Sequence, residues 1–348
     1  MDLVLYVGLP KTATTFYELN LFPLIDGEQI IFNPKPMEKL SYLLDSNYNP
    51  TESEITEFHR EIDLIKEKNP DKVLLLINEH LGYWGWSLDS KNGVLRTKKL
   101  FPKAKIIICF RHQTDWMLSL YKHSVDTGGG FGGIKRFLNY HNGSFLEEIP
   151  YKKTNMTNYR DIIMNVHEAN WSLYLDRFHE SYGKENVNVV FFEDFIKDKH
   201  AYTKKLCKII GITNEIPKIN YKSQTNKGPS ALTCYISQIQ RRILHILKLK
   251  PRNIQRWNEI VDSQSLSRKE SPQNYASFIV YIFKSLYFML RYAPLQFYLK
   301  LMDELIYINW DIFGSKGIRQ NLDDIYKEIN RDLPKFVDNK EIPEKYLR

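Results

Sequence analysis

Between a short apolar run, Leu3 to Val7, and a helical pattern that begins near Thr14 lies the segment Gly8-Leu9-Pro10-Lys11-Thr12-Ala13-Thr14-Thr15. A loop that joins a strand to a helix aims backbone N–H groups and a helix N-terminus at one point, which suits a phosphate or sulfate. Lys11 adds a point charge, and Thr14 and Thr15 add hydroxyl donors. The Walker A order G-x-x-x-x-G-K-[ST] is absent, because the lysine comes early and the threonines follow it. Taken alone, the segment reads equally well as an ordinary turn with a threonine helix cap. The second candidate is Arg111, just past Lys105 to Phe110, whose Ile106-Ile107-Ile108 core reads as a buried strand. Ser119 lies eight residues on, about two helical turns. A strand-end arginine and a helix serine can together hold a second phosphate, and a structural ion pair is the other role open to Arg111.

The elements that must position these groups alternate along the chain. Continuous apolar runs at Leu3 to Val7, Lys72 to Asn78, Lys105 to Phe110 and Val187 to Phe192 read as buried strands. Helical patterns cover Thr14 to Ile25, Glu54 to Lys68, Gln113 to Ser124 and Tyr159 to Tyr182, the last stopped by Gly183. Strands alternating with helices predict an α/β fold with a parallel sheet. Beyond about residue 215 the pattern turns helical and irregular, and Gly128 to Gly133 reads as a flexible loop. With 348 residues, 43% of them hydrophobic and 14% aromatic, the chain can bury a sizeable core and is no disordered tail.

The formal net charge of +8 is concentrated. Ile216 to Asn258 holds nine Lys or Arg and no Asp or Glu, and the other 40 basic residues are balanced by 41 acidic ones. A near-neutral body with one basic segment points to a localised anionic partner, not to general nucleic-acid binding. The three cysteines, Cys109, Cys207 and Cys234, form neither a disulfide framework nor a zinc spacing, and a reducing compartment is the simplest expectation. His167-Glu168 lacks the second histidine of H-E-x-x-H, so no metal is expected. No secretory signal is expected, since Leu3 to Val7 is too short for one and has no basic flank. No transmembrane helix is expected either: the most apolar stretch, Tyr275 to Leu299, is interrupted by Lys284, Arg291 and Pro294.

Together the two phosphate-binding candidates resemble the nucleotide-dependent sulfotransferases. In that family a PKxGTTxL-like loop binds the 5′-phosphosulfate of 3′-phosphoadenosine-5′-phosphosulfate (PAPS), and a later FPxAKIIxxxRxPxxxxxSxY-like block binds its 3′-phosphate. This chain reads PKTATTFYEL and FPKAKIIICFRHQTDWMLSLYKH. Weaker resemblance runs through Tyr182 to Val187 and Phe192-Glu193-Asp194-Phe195. It reaches a tail, Asn321-Leu322 to Asn330-Arg331-Asp332-Leu333, of the kind seen in bacterial carbohydrate sulfotransferases. Two departures stand out: Ala13 where the family commonly has glycine, and His112-Gln113 where many members have Asn-Pro or a similar turn.

The resemblance implies a P-loop-like three-layer α/β sandwich with a central parallel sheet and a helical C-terminal part. It would be one domain over 1–348: an α/β cofactor-binding core at 1–215, a basic closing segment at 216–258 and a helical part at 259–348. Lys11 would stabilise charge on the bridging oxygen of the donor as the sulfuryl group leaves. Thr12, Ala13, Thr14 and Thr15 would hold the 5′-phosphate, and Arg111 and Ser119 the 3′-phosphate. Lys227-Gly228 matches the late basic loop that closes over the cofactor in such enzymes, with Lys227 reaching the 3′-phosphate. The general base would come from Asn78-Glu79-His80-Leu81 at a strand end. Glu79 is favoured by the Ser-x-Glu-x-Leu pattern of bacterial members, and His80 by the Lys-Thr-His-Leu pattern of cytosolic ones; Glu79 is preferred. Glu193-Asp194 reads as structural.

The expected acceptor is a hydroxyl, or as a second choice an amine, of a carbohydrate, free or lipid-linked, with transfer in the cytoplasm or at the inner membrane surface. Three roles stay open for Ala231 to Leu249, where Ile236, Ile239 and Ile243 recur at helical spacing beside Arg241 and Arg242. It could be a solvated face, an electropositive rim for donor and acidic glycan, or a contact with anionic lipid next to the aromatic stretch Phe278 to Tyr292. The alternatives are a nucleoside-phosphate kinase of similar topology, disfavoured by the missing Walker spacing, and a nucleic-acid-binding protein using residues 216–258.

Overall fold

The computed structural model describes residues 2–39, 43–44, 50–78, 81, 90–126, 132–147, 163–213, 215–221, 228–246, 294–313 and 316–347. Five parallel strands form its central sheet: β1 (Leu3–Gly8), β2 (Ile30–Phe32), β3 (Val73–Ile77), β4 (Lys105–Phe110) and, after the short hairpin strands β5 (Tyr140–His141) and β6 (Ser144–Phe145), β7 (Val187–Phe191). Their order is β2-β3-β1-β4-β7, and every neighbouring pair is parallel. The four strands expected from apolar runs are all present. The edge strand β2 escapes that test because only Ile30-Ile31-Phe32 are apolar. It is extended by Asn33, whose side chain imitates a strand rung: Oδ1 accepts from Ile77 N at 2.8 Å and Nδ2 donates to the Ile77 carbonyl at 3.2 Å.

Helices cover both faces. The expected Thr14–Ile25 helix is two pieces, α1 (Thr14–Asn20) and α2 (Phe22–Ile25), with the break just before Pro23, which has no N–H to continue the ladder. Next come α3 (Glu52–Lys68), opened by a Thr51/Glu54 capping box, and α4 (Ser90–Leu100), which the sequence reading missed. They are followed by α5 (Gln113–Asp126), α6 (Gly133–Phe137) and α7 (Trp171–Tyr182). The last of these begins later than the expected Tyr159. The Asn170 side chain accepts from Leu173 N at 3.0 Å and caps the helix there, and a short 3-10 turn at Val166–Glu168 precedes it. Beyond β7 lie α8 (Phe192–Lys197), α9 (Lys199–Ile210), α10 (Ala231–Ile246), α11 (Pro294–Leu305) and α12 (Lys316–Ile329).

The connections after β1 and β4, neighbours in the sheet, go to opposite faces. α1 sends Phe16 and Tyr17 into the core that holds Val4, Tyr6, Ile107 and Cys109. α5 turns the other way: Trp116 packs edge-on against Trp171, which stacks on Phe110 at 5.0 Å. Two adjacent strands whose connections diverge leave a crevice at their carboxyl ends, the place where open α/β sheets bind ligands.

The chain divides into two compact units. The first comprises 1–117, 164–226 and 319–348 and contains the sheet. The second comprises 118–163 and 227–318. It includes the β5–β6 hairpin, whose Asn142-Gly143 turn takes positive φ at both residues, the signature of a two-residue hairpin loop. Within the first unit, the C-terminal segment is fastened by a buried amide pair. Gln113 Nε2 donates to Asn330 Oδ1 at 2.7 Å, and Asn330 Nδ2 donates to Gln113 Oε1 at 3.1 Å and to the Tyr346 carbonyl at 3.3 Å. Removing one amide strands the other away from water. Asn330→Ala is therefore expected to lower stability by about 2–3 kcal/mol, read by urea unfolding followed by tryptophan fluorescence.

Candidate functional site

The loop after β1 has its carbonyls turned inward one after another. The Leu9 carbonyl accepts from Thr12 Oγ1 at 2.6 Å, and the Pro10 carbonyl from Trp116 Nε1 at 2.8 Å. The Lys11 carbonyl accepts from Arg111 Nη1 at 3.0 Å, the Thr12 carbonyl faces the Cys109 thiol at 3.7 Å, and the Ala13 carbonyl accepts from Phe16 N at 3.0 Å. In a planar trans peptide the C=O of one residue and the N–H of the next point opposite ways. Pinning the carbonyls of Pro10 to Ala13 therefore turns the N–H groups of Lys11 to Thr14 away from the donors that hold those carbonyls. Lys11 and Ala13 both have left-handed backbone, with φ of 68° and 67°. Alternating handedness of this kind gathers amides into an anion-binding nest.

The surroundings fix the loop closely. A Cβ on Gly8 would stand 2.0 Å from Thr14 Cγ2, so β1 must end in glycine for the threonine to pack over it. Thr12 and Thr14 are buried, and Thr15 and Lys11 are partly exposed. The Thr12 hydroxyl is spent inside the loop, which leaves its amide as the group able to meet a ligand. Beneath the loop the Cys109 thiol lies 3.3 Å from the Tyr202 hydroxyl, which is 3.4 Å from that of Tyr6. Burial pushes the Cys109 thiol up to about 12, so it keeps its proton and serves as a donor toward Thr12.

Arg111 emerges from β4 beside the loop. Its guanidinium packs over the Phe192 ring at 4.5 Å, and its carbonyl accepts from Trp171 Nε1 at 3.1 Å. Burial draws its pKa below the usual value, opposed by Asp115 and Glu193, and an arginine so placed stays charged. Lys11 to Thr15 and Arg111 thus meet in the first unit at the carboxyl ends of adjacent strands. Ser119, on α5, and Gly228, whose carbonyl accepts from Tyr307 Oη at 3.1 Å, belong to the second unit. Glu79, His80 and Lys227 lie outside the described residues. Among the described residues no cluster of three or more His, Cys, Asp or Glu side chains has the arrangement of a metal site.

A family model described as a sulfotransferase domain matches residues 2–240, more than half of the chain. The chain belongs to the sulfotransferase domain family. No curated protein matches it significantly. Among solved structures, a sulfotransferase from Alicyclobacillus acidocaldarius is similar at 16% identity, over 72% of this chain and 97% of that one, with a TM-score of 0.42. A mouse sulfotransferase complexed with PAP aligns at 17% identity over 62% of this chain and 60% of that one, with a TM-score of 0.32. The sulfotransferase domain from the curacin biosynthetic pathway aligns at 11% identity over 62% and 75% respectively, with a TM-score of 0.33.

Behind the loop of this sulfotransferase stands a second layer that sequence reasoning read only as structural or did not see. The Glu193 carboxylate accepts from His112 N at 2.8 Å and from Tyr346 Oη at 3.0 Å, and so holds the residue after Arg111. Burial raises the pKa of Glu193, opposed mainly by the hydrogen bond from His112 N–H. The Thr114 hydroxyl donates to Asp323 at 2.6 Å, and Asp115 pairs with Lys345 and, at 3.8 Å, with Arg319. His112-Gln113, the departure noted above, is thus the seat of the C-terminal segment. The His112 ring meets Tyr346 edge-on at 5.4 Å.

Two tests follow from these local constraints. At Ala13 a left-handed backbone is strained for alanine and unstrained for glycine. Ala13→Gly is expected to raise stability by about 0.5–1 kcal/mol in thermal or urea unfolding, the relief being partly offset by greater unfolded-chain entropy. His112 is buried, and its Nδ1 has no hydrogen-bond partner among the described residues. Burial and then Lys345 lower its pKa to about 4, from the usual 6.5. Between those values the unfolded chain binds the extra proton and the native state does not. Stability should therefore fall as pH drops through that window, by on the order of 2 kcal/mol. His112→Phe, which keeps the ring contact, should flatten this part of the stability–pH curve.

Proposed function

We propose that this chain transfers a sulfuryl group from PAPS to a hydroxyl, or as a second choice an amine, of a carbohydrate acceptor. The observation that carries the reading is the loop Leu9–Ala13, with five inward carbonyls beside a desolvated Arg111, in a chain of the sulfotransferase family. An amide nest gives fixed N–H donors to a tetrahedral anion, and fixed donors need no reorganisation as charge develops. Lys11 stands in that loop on a strained backbone, and its ammonium would neutralise charge on the oxygen that leaves sulfur. The acceptor oxygen attacks sulfur, the bond from sulfur to the 5′-phosphate oxygen breaks, and 3′,5′-adenosine bisphosphate (PAP) departs. A base takes the acceptor's proton. Glu79 is the first choice for that base and His80 the second, on the sequence patterns given above. The roles of Ser119, Lys227 and Gly228 also rest on the sequence resemblance.

The test measures binding and turnover separately. PAP should protect the chain against thermal unfolding in proportion to the logarithm of its concentration. Labelled PAPS incubated with a panel of glycans should give a sulfated product. Lys11→Ala should cut turnover by roughly 10²–10³-fold with a smaller loss of PAP binding. Glu79→Gln should abolish turnover and leave PAP protection largely intact, and near-normal turnover in that variant would move the role to His80. Absence of both PAP protection and transfer would remove the reading.

A further inference from the structure

The ladder between β4 and β7 ends at the pair Phe110 and Phe191. Side chains join the two segments beyond it. At the next position the Arg111 guanidinium lies over the Phe192 ring, 4.5 Å from its centroid. At the one after, Glu193 Oε1 accepts from His112 N at 2.8 Å. Arg111 thus stands between a strand rung that fixes the residue before it and a carboxylate that fixes the residue after it. Its own carbonyl accepts from Trp171 Nε1 at 3.1 Å, which leaves its backbone little freedom.

The second carboxylate oxygen brings in a distant part of the chain. Glu193 Oε2 accepts from Tyr346 Oη at 3.0 Å, across 153 residues. Tyr346 is buried and held from several sides. Its ring meets Phe191 edge-on at 5.1 Å and His112 at 5.4 Å, and its carbonyl accepts from Asn330 Nδ2 at 3.3 Å. The neighbouring Lys345 pairs with Asp115. An ionised carboxylate only accepts, so it can serve two donors at once. Both donors here are neutral, an amide and a phenol. The Arg111 guanidinium likewise bonds a neutral acceptor, the Lys11 carbonyl at 3.0 Å. Its hydrogen bond and its ring contact fix its charge without neutralising it.

An anion site gains from that combination. A long side chain loses rotamer freedom when it is fixed, and a group fixed beforehand binds its ligand without that loss. We propose that Glu193 and Tyr346 are positioning residues of the donor site: they hold the end of β4 so that the Arg111 guanidinium already stands where the 3′-phosphate of PAPS arrives. The inference rests on the donor reading given above. It gives Tyr346, far in sequence from both phosphate-binding motifs, a part in donor affinity.

Calorimetric titration of PAP into the full chain and its variants tests it, with melting temperatures above the assay range to show that each variant is folded. Tyr346→Phe keeps the ring contacts and removes only the hydroxyl that Glu193 accepts from. It should weaken PAP binding by about fivefold or more. Glu193→Ala should weaken it further. Glu193→Gln should recover most of that loss, because its amide can accept from His112 N and donate to Tyr346 Oη. In an Arg111→Ala background, Tyr346→Phe should cost less than about twofold, since a residue that acts through Arg111 then has nothing to position. Unchanged affinity in Tyr346→Phe overturns the proposal and leaves the donor reading in place. A full-size loss in the Arg111→Ala background overturns it too, because the effect would then be a general loosening of the fold. A wild-type chain that does not bind PAP removes the donor reading and this inference with it.

Discussion

The site depends on the direction of a few peptide planes. A loop can present successive amides to an anion only if its carbonyls find donors on the other side, since buried carbonyls without partners cost more than the loop gains. This chain draws those donors from several sources: Thr12 and Phe16 within the loop and its helix, Cys109 and Arg111 from the end of β4, and Trp116 from α5. The parallel pairing of β1 with β4, which sets Gly8 opposite Cys109, puts the β4 donors within reach. The cost appears as left-handed backbone at Lys11 and Ala13. Strain of that sort persists only where surrounding contacts over-determine the conformation, as they do here.

Arg111 works in both directions. Its Nη1 holds the Lys11 carbonyl while its charge stays desolvated over Phe192. The residues that follow it are held in turn by a segment from the far end of the sequence: Tyr346 reaches Glu193, Asn330 reaches Gln113, and Asp323 reaches Thr114. The chain's last turns therefore serve the strand end that carries Arg111, and the departure His112-Gln113 from the family pattern becomes intelligible as their docking seat. The second unit obeys a different constraint. There Ala231, Thr233, Cys234 and Ser237 of α10 are buried, Asp303 of α11 meets Ser230 and Thr233, and Tyr235, Ile239 and Ile243 are left outside.

Much of the first unit was legible in the sequence. Runs such as Val73-Leu74-Leu75-Leu76-Ile77 and Ile106-Ile107-Ile108 are buried on both faces, so they read as central strands without any knowledge of their neighbours. The loop and Arg111 were legible because glycine, proline, lysine, threonine and a strand-end arginine occupy fixed offsets from those runs. The short edge strand β2 was not, since Asn33 completes it by imitating a backbone rung. The helix α4 was missed between better-patterned neighbours. The late start of α7 was missed because the cap, Asn170, outweighs the apolar periodicity before it.

By itself, then, the sequence determined where four of the five sheet strands run and which glycine, lysine, threonine and arginine residues stand at their ends, because burial and turn chemistry are local and leave a local pattern. Only the tertiary structure decided which groups hold the loop after β1 open. The partner of Gln113 lies 217 residues away, that of the Pro10 carbonyl 106, and that of Glu193 Oε2 153. The stripe on α10 shows the same limit from the other side. Periodicity marks Ile239 and Ile243 as one face, but whether that face is buried depends on what packs against the opposite one, and Asp303 reaches Ser230 and Thr233 from 70 residues or more along the chain. A hydrogen bond or a packed face needs two partners, and the sequence names each one without saying which it meets.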